Sequence, residues 1–178
     1  MALKPLPLSR VYRLLEPGPV VLVTTVGKNG PNVMTLSWHT MMDFEPPLIG
    51  LVLGEGNHSF GMLEASGECV IAVPTVKMAS TVVRVGNCSG RDTDKFKKFK
   101  LKTLPARRVG APLLSDCWAN IECRVADRKM VPQYNFFVLR AVAAWIDPAP
   151  KDPRTLHHRG RGNFMVAGRT LRLPSKKK

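Results

Sequence analysis

Val20-Val21-Leu22-Val23-Thr24-Thr25-Val26, then Gly27-Lys28-Asn29-Gly30, then Asn32-Val33-Met34-Thr35-Leu36-Ser37-Trp38-His39 is the stretch on which the fold turns. Val20 to Val26 is a β-branched run and reads as a strand. Two glycines and an asparagine then make a hairpin-type turn. Asn32 to Trp38 is the returning strand. It interleaves small hydroxyl and amide groups with bulky residues, so its edge can hydrogen-bond a planar heterocycle through the backbone while side chains pack on the rim.

Outward from this hairpin the signals stay short. Residues 1–19 are proline-rich and read as an extended arm, with a helical turn around Ser9 to Leu15. After the hairpin, Pro46-Pro47 breaks the chain. Leu48 to Leu53 is a continuous apolar run, as in a strand buried on both faces. Gly54 to Asn57 turns the chain into a helix over Ser59 to Ala65, with His58 or Ser59 near its N-cap. Glu68 to Val73 is a strand. Thr75 caps a helix to Val85 that Gly86-Asn87 terminates. A further helix runs from Asp92 or Thr93 to about Phe99. Ser115 to Ala126 and Tyr134 to Ile146 are long strands, and the last thirty residues read as loop, rich in Gly, Arg and Pro. The expected fold class is mainly β, a barrel with short helical insertions. It forms one domain over residues 1–178, with an arm at 1–15 and a basic loop-rich segment at 148–178.

Composition narrows the function classes. The 178 residues carry a net charge of +14. Residues 1–75 hold 4 basic and 6 acidic side chains, and residues 76–178 hold 23 and 7, so the whole excess lies in the second part. Such a field favours anionic partners, although the final Lys176-Lys177-Lys178 reads as a solvated tail. Val20 to Val26 and Leu48 to Leu53 are far too short to span a bilayer. No apolar h-region follows Lys4 and Arg10, so no signal peptide is expected and the location is expected to be cytoplasmic. Cys69, Cys88, Cys117 and Cys123 form no C-x-x-C pair and read as reduced thiols rather than zinc ligands or a redox dithiol.

Catalytic side chains are not legible. There is no G-x-S-x-G elbow, no G-x-G-x-x-G and no P-loop. His157-His158 would face opposite sides of a strand, and no carboxylate cluster accompanies them. No catalytic residue and no metal ligand are assigned, which points to chemistry carried by a bound cofactor. Three segments suit one. The first is Asn32, Val33, Met34, Thr35, Ser37, Trp38 and His39. The second is Asn57-His58-Ser59, at a helix start suited to a phosphate. The third is Asn87, Ser89 and Gly90 with Lys95 and Phe96: Gly90 permits close backbone approach and Lys95 supplies a cation.

In this order these segments resemble the flavin reductase-like, FMN-binding split-barrel family, especially its flavoredoxin-like branch. The matching residues are Pro19 to Thr25 with Gly30, Asn32 to Trp38, Leu48 to Leu53 with Asn57-His58-Ser59, and Ser89-Gly90 through Asp94-Lys95-Phe96. They continue through Ala111-Pro112, Ile121-Glu122-Cys123, Tyr134-Asn135-Phe136 and His157-His158 with Gly160 to Gly168. The resemblance implies a Greek-key split β-barrel and a homodimer with FMN near the subunit interface. It puts flavin contacts at Asn32 to Trp38, phosphate contacts at Asn57-His58-Ser59, and further contacts around Ser89-Gly90. It further implies a reductase that takes electrons from NADH or NADPH through FMN to a flavin, a redox protein or another acceptor. A flavoredoxin-type FMN carrier without nicotinamide turnover is the second reading. A basic nucleic-acid-binding barrel is the third and weakest, because Phe96 and Phe99 are the only rings between Lys95 and Lys102, too few for a stacking platform.

Overall fold

Burial on both faces accounts for the unbroken apolar run that opens the hairpin. In the computed structural model, which describes residues 3–174, Val21 and Val23 face one buried cluster while Val20 and Leu22 face another. The strands are β1 Lys4–Pro5, β2 Val21–Gly27, β3 Gly30–Leu36, β4 His39–Phe44, β5 Pro47–Val52 and β6 Glu68–Val73. They continue with β7 Thr103–Leu104, β8 Leu113–Leu114, β9 Ala119–Asp127, β10 Phe136–Ile146, β11 Leu156–His158 and β12 Phe164–Val166. The helices are α1 Tyr12–Leu15, α2 His58–Ser66, α3 Ala79–Gly86, α4 Lys95–Phe99 and α5 Val131–Tyr134, with 3-10 turns at Leu8–Arg10 and Val76–Met78. No helix among the described residues is long and apolar enough to cross a membrane.

The main sheet runs β3-β2-β6-β9-β10-β5-β4, and each pairing along that path is antiparallel. Its outermost strands, β3 and β4, are joined only by Ser37 and Trp38. A flat sheet of seven strands would hold its edges about 29 Å apart, whereas three virtual bonds from Leu36 to His39 reach at most about 11 Å. The sheet must therefore curl until its edges meet. β3 and β4 do not pair with each other, so the barrel is split along that seam. The expected mainly-β split barrel is the observed architecture.

Ile49, Leu51, Ile71, Val73, Ile121, Phe137 and Leu139 fill the barrel, all fully buried. Phe60 of α2 meets Phe137 edge-on at 5.5 Å and plugs one end. On the outer face, Val82 and Val85 of α3 pack with Leu22, Val33 and Ala72. Each is fully buried, worth about 1.5–3 kcal/mol apiece, and together they press the C-terminal end of α3 toward β3.

The structure corrects several boundaries. The returning strand ends at Leu36, and a separate strand, β4, follows the crossover. The segment at 1–15 is not a free arm: β1 pairs with β10, and Val11, Leu14 and Leu15 are buried in the core. The strand expected from Ser115 starts at Ala119, and the one expected from Tyr134 starts at Phe136 after the short α5. The helix after Thr75 opens as a 3-10 turn. The last thirty residues are not all loop, since β11 and β12 form a hairpin. Lys176 to Lys178 lie outside the described residues.

Candidate functional site

The turn Lys28-Asn29 dictates which backbone groups of β3 are free. Gly27 and Gly30 flank a two-residue turn, so they form a hydrogen-bonded pair, and such pairs alternate along the ladder. Thr25–Asn32, Val23–Met34 and Val21–Leu36 therefore exchange bonds, while Pro31, Val33 and Thr35 turn their backbone groups outward. Pro31, which has no N–H, fits that pattern. Among the described residues β3 pairs with β2 alone, so these outward groups line the seam of the split barrel.

Facing that edge is the start of α2. Asn57 occupies its N-cap, but the Asn57 amide donates to Gly54 O at 3.0 Å instead of capping the helix. Phe60 N donates to Asn57 O at 3.0 Å, but the N–H groups of His58 and Ser59 are left for another acceptor. The Ser59 hydroxyl is buried and accepts from Asn32 Nδ2 at 2.8 Å, which ties α2 to β3. The third wall is the loop after α3. A Cβ on Gly90 would fall on Asn32 Oδ1 and Cγ, so the chain approaches β3 where only glycine fits. Asn32, Met34, Asn57, His58, Ser59, Asn87, Ser89, Gly90 and Lys95 thus line one groove of about 310 Å³.

The groove extends both ways along β3. Toward the turn it opens past His58, Gly90, Arg91 and Phe96. Toward the crossover it shares Gly86 and Asn87 with a second compartment of about 300 Å³, lined also by Thr35, Ser37, His158, Gly162 and Phe164. The combined space matches that of a cofactor cleft.

Several of the expected residues play other parts. Val33 is buried in the outer core, so its side chain packs and only its backbone can reach the seam. Thr35 donates its hydroxyl to Val82 O at 2.6 Å and anchors α3. Trp38 is 70% exposed on the crossover. His39 lies outside the groove, in a separate recess with Leu15, Glu16 and Asp43, its Nε2 donating to Pro19 O at 2.7 Å. Lys95 lines the groove but is 4% exposed and donates from Nζ to Val85 O at 3.0 Å. It caps the carboxyl end of α3, and burial lowers its pKa, partly countered by Cys88.

Reading the sequence missed Arg91, which donates from Nη2 to Gly56 O at 3.2 Å and bridges two walls of the groove. A basic residue next to the close-approach glycine was the available signal. Among the described residues no cluster of three His, Cys, Asp or Glu side chains could hold a metal ion. The Phe99 ring lies under Arg84 and Lys98, at 4.9 and 5.8 Å, so it is engaged by its own chain rather than free to stack on a base.

His39 makes stability sensitive to pH. Burial lowers its pKa below the usual 6.5, against the bond to Pro19. The unfolded chain thus binds a proton more readily than the folded one, and stability falls as pH drops from above 6.5 through the lowered value. Urea melts at pH 7.5 and 5.0 are expected to show this loss, and His39→Gln, which has no proton to gain, is expected to remove most of it. An unchanged slope in the variant would assign the acid sensitivity elsewhere.

Comparison with known proteins bears on the family and the fold. The family model described as "Flavin reductase like domain" matches residues 12–164. A solved structure described as an FMN-binding domain of a flavin reductases-like enzyme from Shewanella baltica superposes with a TM-score of 0.90 at 29% identity, covering 97% of this chain and 98% of that one. An uncharacterized protein of Archaeoglobus fulgidus is 33% identical over 133 residues, 73% of this chain and 75% of that protein. The flavoredoxin of Desulfovibrio vulgaris shares the fold, with a TM-score of 0.80 at 20% identity over 90% and 92% of the two chains. With the split barrel and the groove along its seam, these matches place the chain in the flavin reductase-like family of FMN-binding split barrels.

Proposed function

We propose that this chain binds FMN in the seam groove and works as an oxidoreductase, drawing electrons from a reduced nicotinamide. The observation that carries the reading is the pairing of a free strand edge with a free helix start across one groove. The outward backbone groups of Val33 and Thr35 match the polar edge of a planar ring. The uncapped N–H groups of His58 and Ser59, at the positive end of α2, suit a phosphate. Arg91 adds positive charge beside it, and the His58 side chain lines the same part of the groove. The residues present therefore fit FMN, which when bound would supply hydride acceptance and electron delivery. No side chain of the groove is required as an acid or base. The task of the protein is to hold the ring, shield one face and leave the compartment at Thr35, Ser37 and His158 for the donor.

Trp38, Met42 and Phe44 are exposed at and along β4, the other lip of the seam. That apolar strip supports a homodimer. The four cysteines are unpaired, in keeping with a cytoplasmic setting.

A flavoredoxin-type carrier is the second reading, favoured by the lysine-rich α4 surface, which suits an acidic redox protein. One experiment separates the two. FMN titrated into the protein is expected to bind once per chain, with quenched flavin fluorescence. NADH or NADPH added without oxygen is then expected to bleach the bound flavin. Bleaching by dithionite but by neither nucleotide selects the carrier, and failure to bind FMN at micromolar concentration overturns both.

A further inference from the structure

We infer that the β11–β12 hairpin selects NADPH over NADH by holding the 2′-phosphate between Arg159 and Arg161, a specificity that rests on the reductase reading above. His158, at the end of β11, and Gly162, in the hairpin tip, line the compartment that continues the seam groove. His158 packs against Phe164 at 5.2 Å between ring centres, and Phe164 packs on the outer core. The hairpin is therefore anchored at its base, and its tip sits at the mouth of the donor compartment.

The tip itself is tightly set. Arg159 N donates to Asn163 O at 2.8 Å, and the Asn163 amide donates back to Gly160 O at 3.2 Å. Gly160, Arg161 and Gly162 all have positive φ, of 89°, 49° and 76°. An arginine at φ 49° is disfavoured relative to Gly or Asn, yet one stands here, exposed, two residues from a second exposed arginine. From Pro153 to Pro174 there are five arginines and no carboxylate. A ribose 2′-hydroxyl is characteristically read by an Asp or Glu, and a 2′-phosphate by Arg, whose planar fork matches phosphate oxygens. The hairpin offers only the second chemistry.

The test compares 5′-AMP, 2′,5′-ADP and 3′,5′-ADP as ligands of the FMN-loaded protein by calorimetry. The two bisphosphates carry the same charge, so a diffuse basic field would bind both alike. The expected result is 2′,5′-ADP at least tenfold tighter than the other two. A variant with Arg159→Ala and Arg161→Asn, asparagine being tolerant of positive φ, should lose that preference while retaining FMN. The same variant should raise KM for NADPH about tenfold and leave KM for NADH within twofold. Equal affinity for the two bisphosphates, or a preference that survives the double substitution, overturns the assignment. Bleaching by both nucleotides with equal kcat/KM overturns it while the reductase reading stands. Bleaching by neither overturns that reading and this inference with it.

Discussion

Gly90→Ala is expected to weaken FMN binding by about five- to a hundredfold, read by quenching of flavin fluorescence. The added methyl would land on Asn32 Oδ1 and Cγ. Asn32 cannot swing away freely, because it is 6% exposed and donates to the buried Ser59 hydroxyl. Overpacking a fitted contact costs about 1–3 kcal/mol, and here relief comes from moving either the 87–90 loop or Asn32. Both are walls of the groove, so the strain appears in ligand affinity more than in global stability. Gly61→Ala is the matched control. It lies inside α2, and its Cβ would meet nothing within 4 Å, so FMN binding should persist and stability rise by up to about 1 kcal/mol. Equal affinity of the Gly90 variant and wild type would show that the approach of the loop to β3 is not what shapes the site.

The residues behind that prediction also show what the sequence could disclose. The β2–β3 hairpin was legible because β-branched residues and a glycine-flanked turn agree at every level. β4 was not. His39-Thr40-Met41-Met42-Asp43-Phe44 shows no clean alternation, because an edge strand at the seam leaves Met42 and Phe44 exposed. Its invisibility had a consequence for the site. In the sequence Asn32 to Trp38 reads as one strand leading into His39, which groups His39 with Asn32, whereas the chain crosses the seam at Ser37-Trp38 and carries His39 to a different recess. Lys95 was legible as a cation near the groove but not as a cap on Val85, because that contact depends on how α4 docks against the end of α3. The β11–β12 hairpin was hidden by its length: three residues per strand around a Gly-Arg-Gly tip carry no measurable period. Local patterns fixed strands with two buried faces. Edges, crossings and caps answer to tertiary packing.

Glu122 is the other residue where a single change should act strongly, this time on the fold. It is fully buried in β9, opposite the barrel interior occupied by Ile121 and Cys123. Its carboxylate accepts from Arg107 N at 3.1 Å, Arg108 N at 2.6 Å and Trp145 Nε1 at 2.7 Å. The Arg107 guanidinium lies over the Trp145 ring at 4.7 Å. This side chain thus fastens Arg107 and Arg108 to β9 and β10, beside the bonds from Gly110 N to Glu68 Oε2 at 3.0 Å and from Arg124 Nη2 to Arg108 O at 2.7 Å, and a chain segment without strand partners has no other acceptor for those two inward N–H groups. Glu122→Ala orphans three donors at once. At about 1–3 kcal/mol per buried unsatisfied group, partly relieved by water, a loss of about 3–5 kcal/mol is expected. For a chain of this size that corresponds to a Tm lower by about 6–20 °C. Glu122→Gln keeps one acceptor oxygen but turns an amide N–H toward other donors, so it should fall between wild type and alanine. Urea melts at one fixed protein concentration give the order, and Trp145 emission should shift to the red as water reaches the indole. If glutamine matched wild type, neither the charge nor the second acceptor oxygen would be needed to hold the segment. If glutamine were as damaging as alanine, the negative charge facing three N–H donors would be the quantity that matters. The expected intermediate value requires both the charge and the number of acceptors.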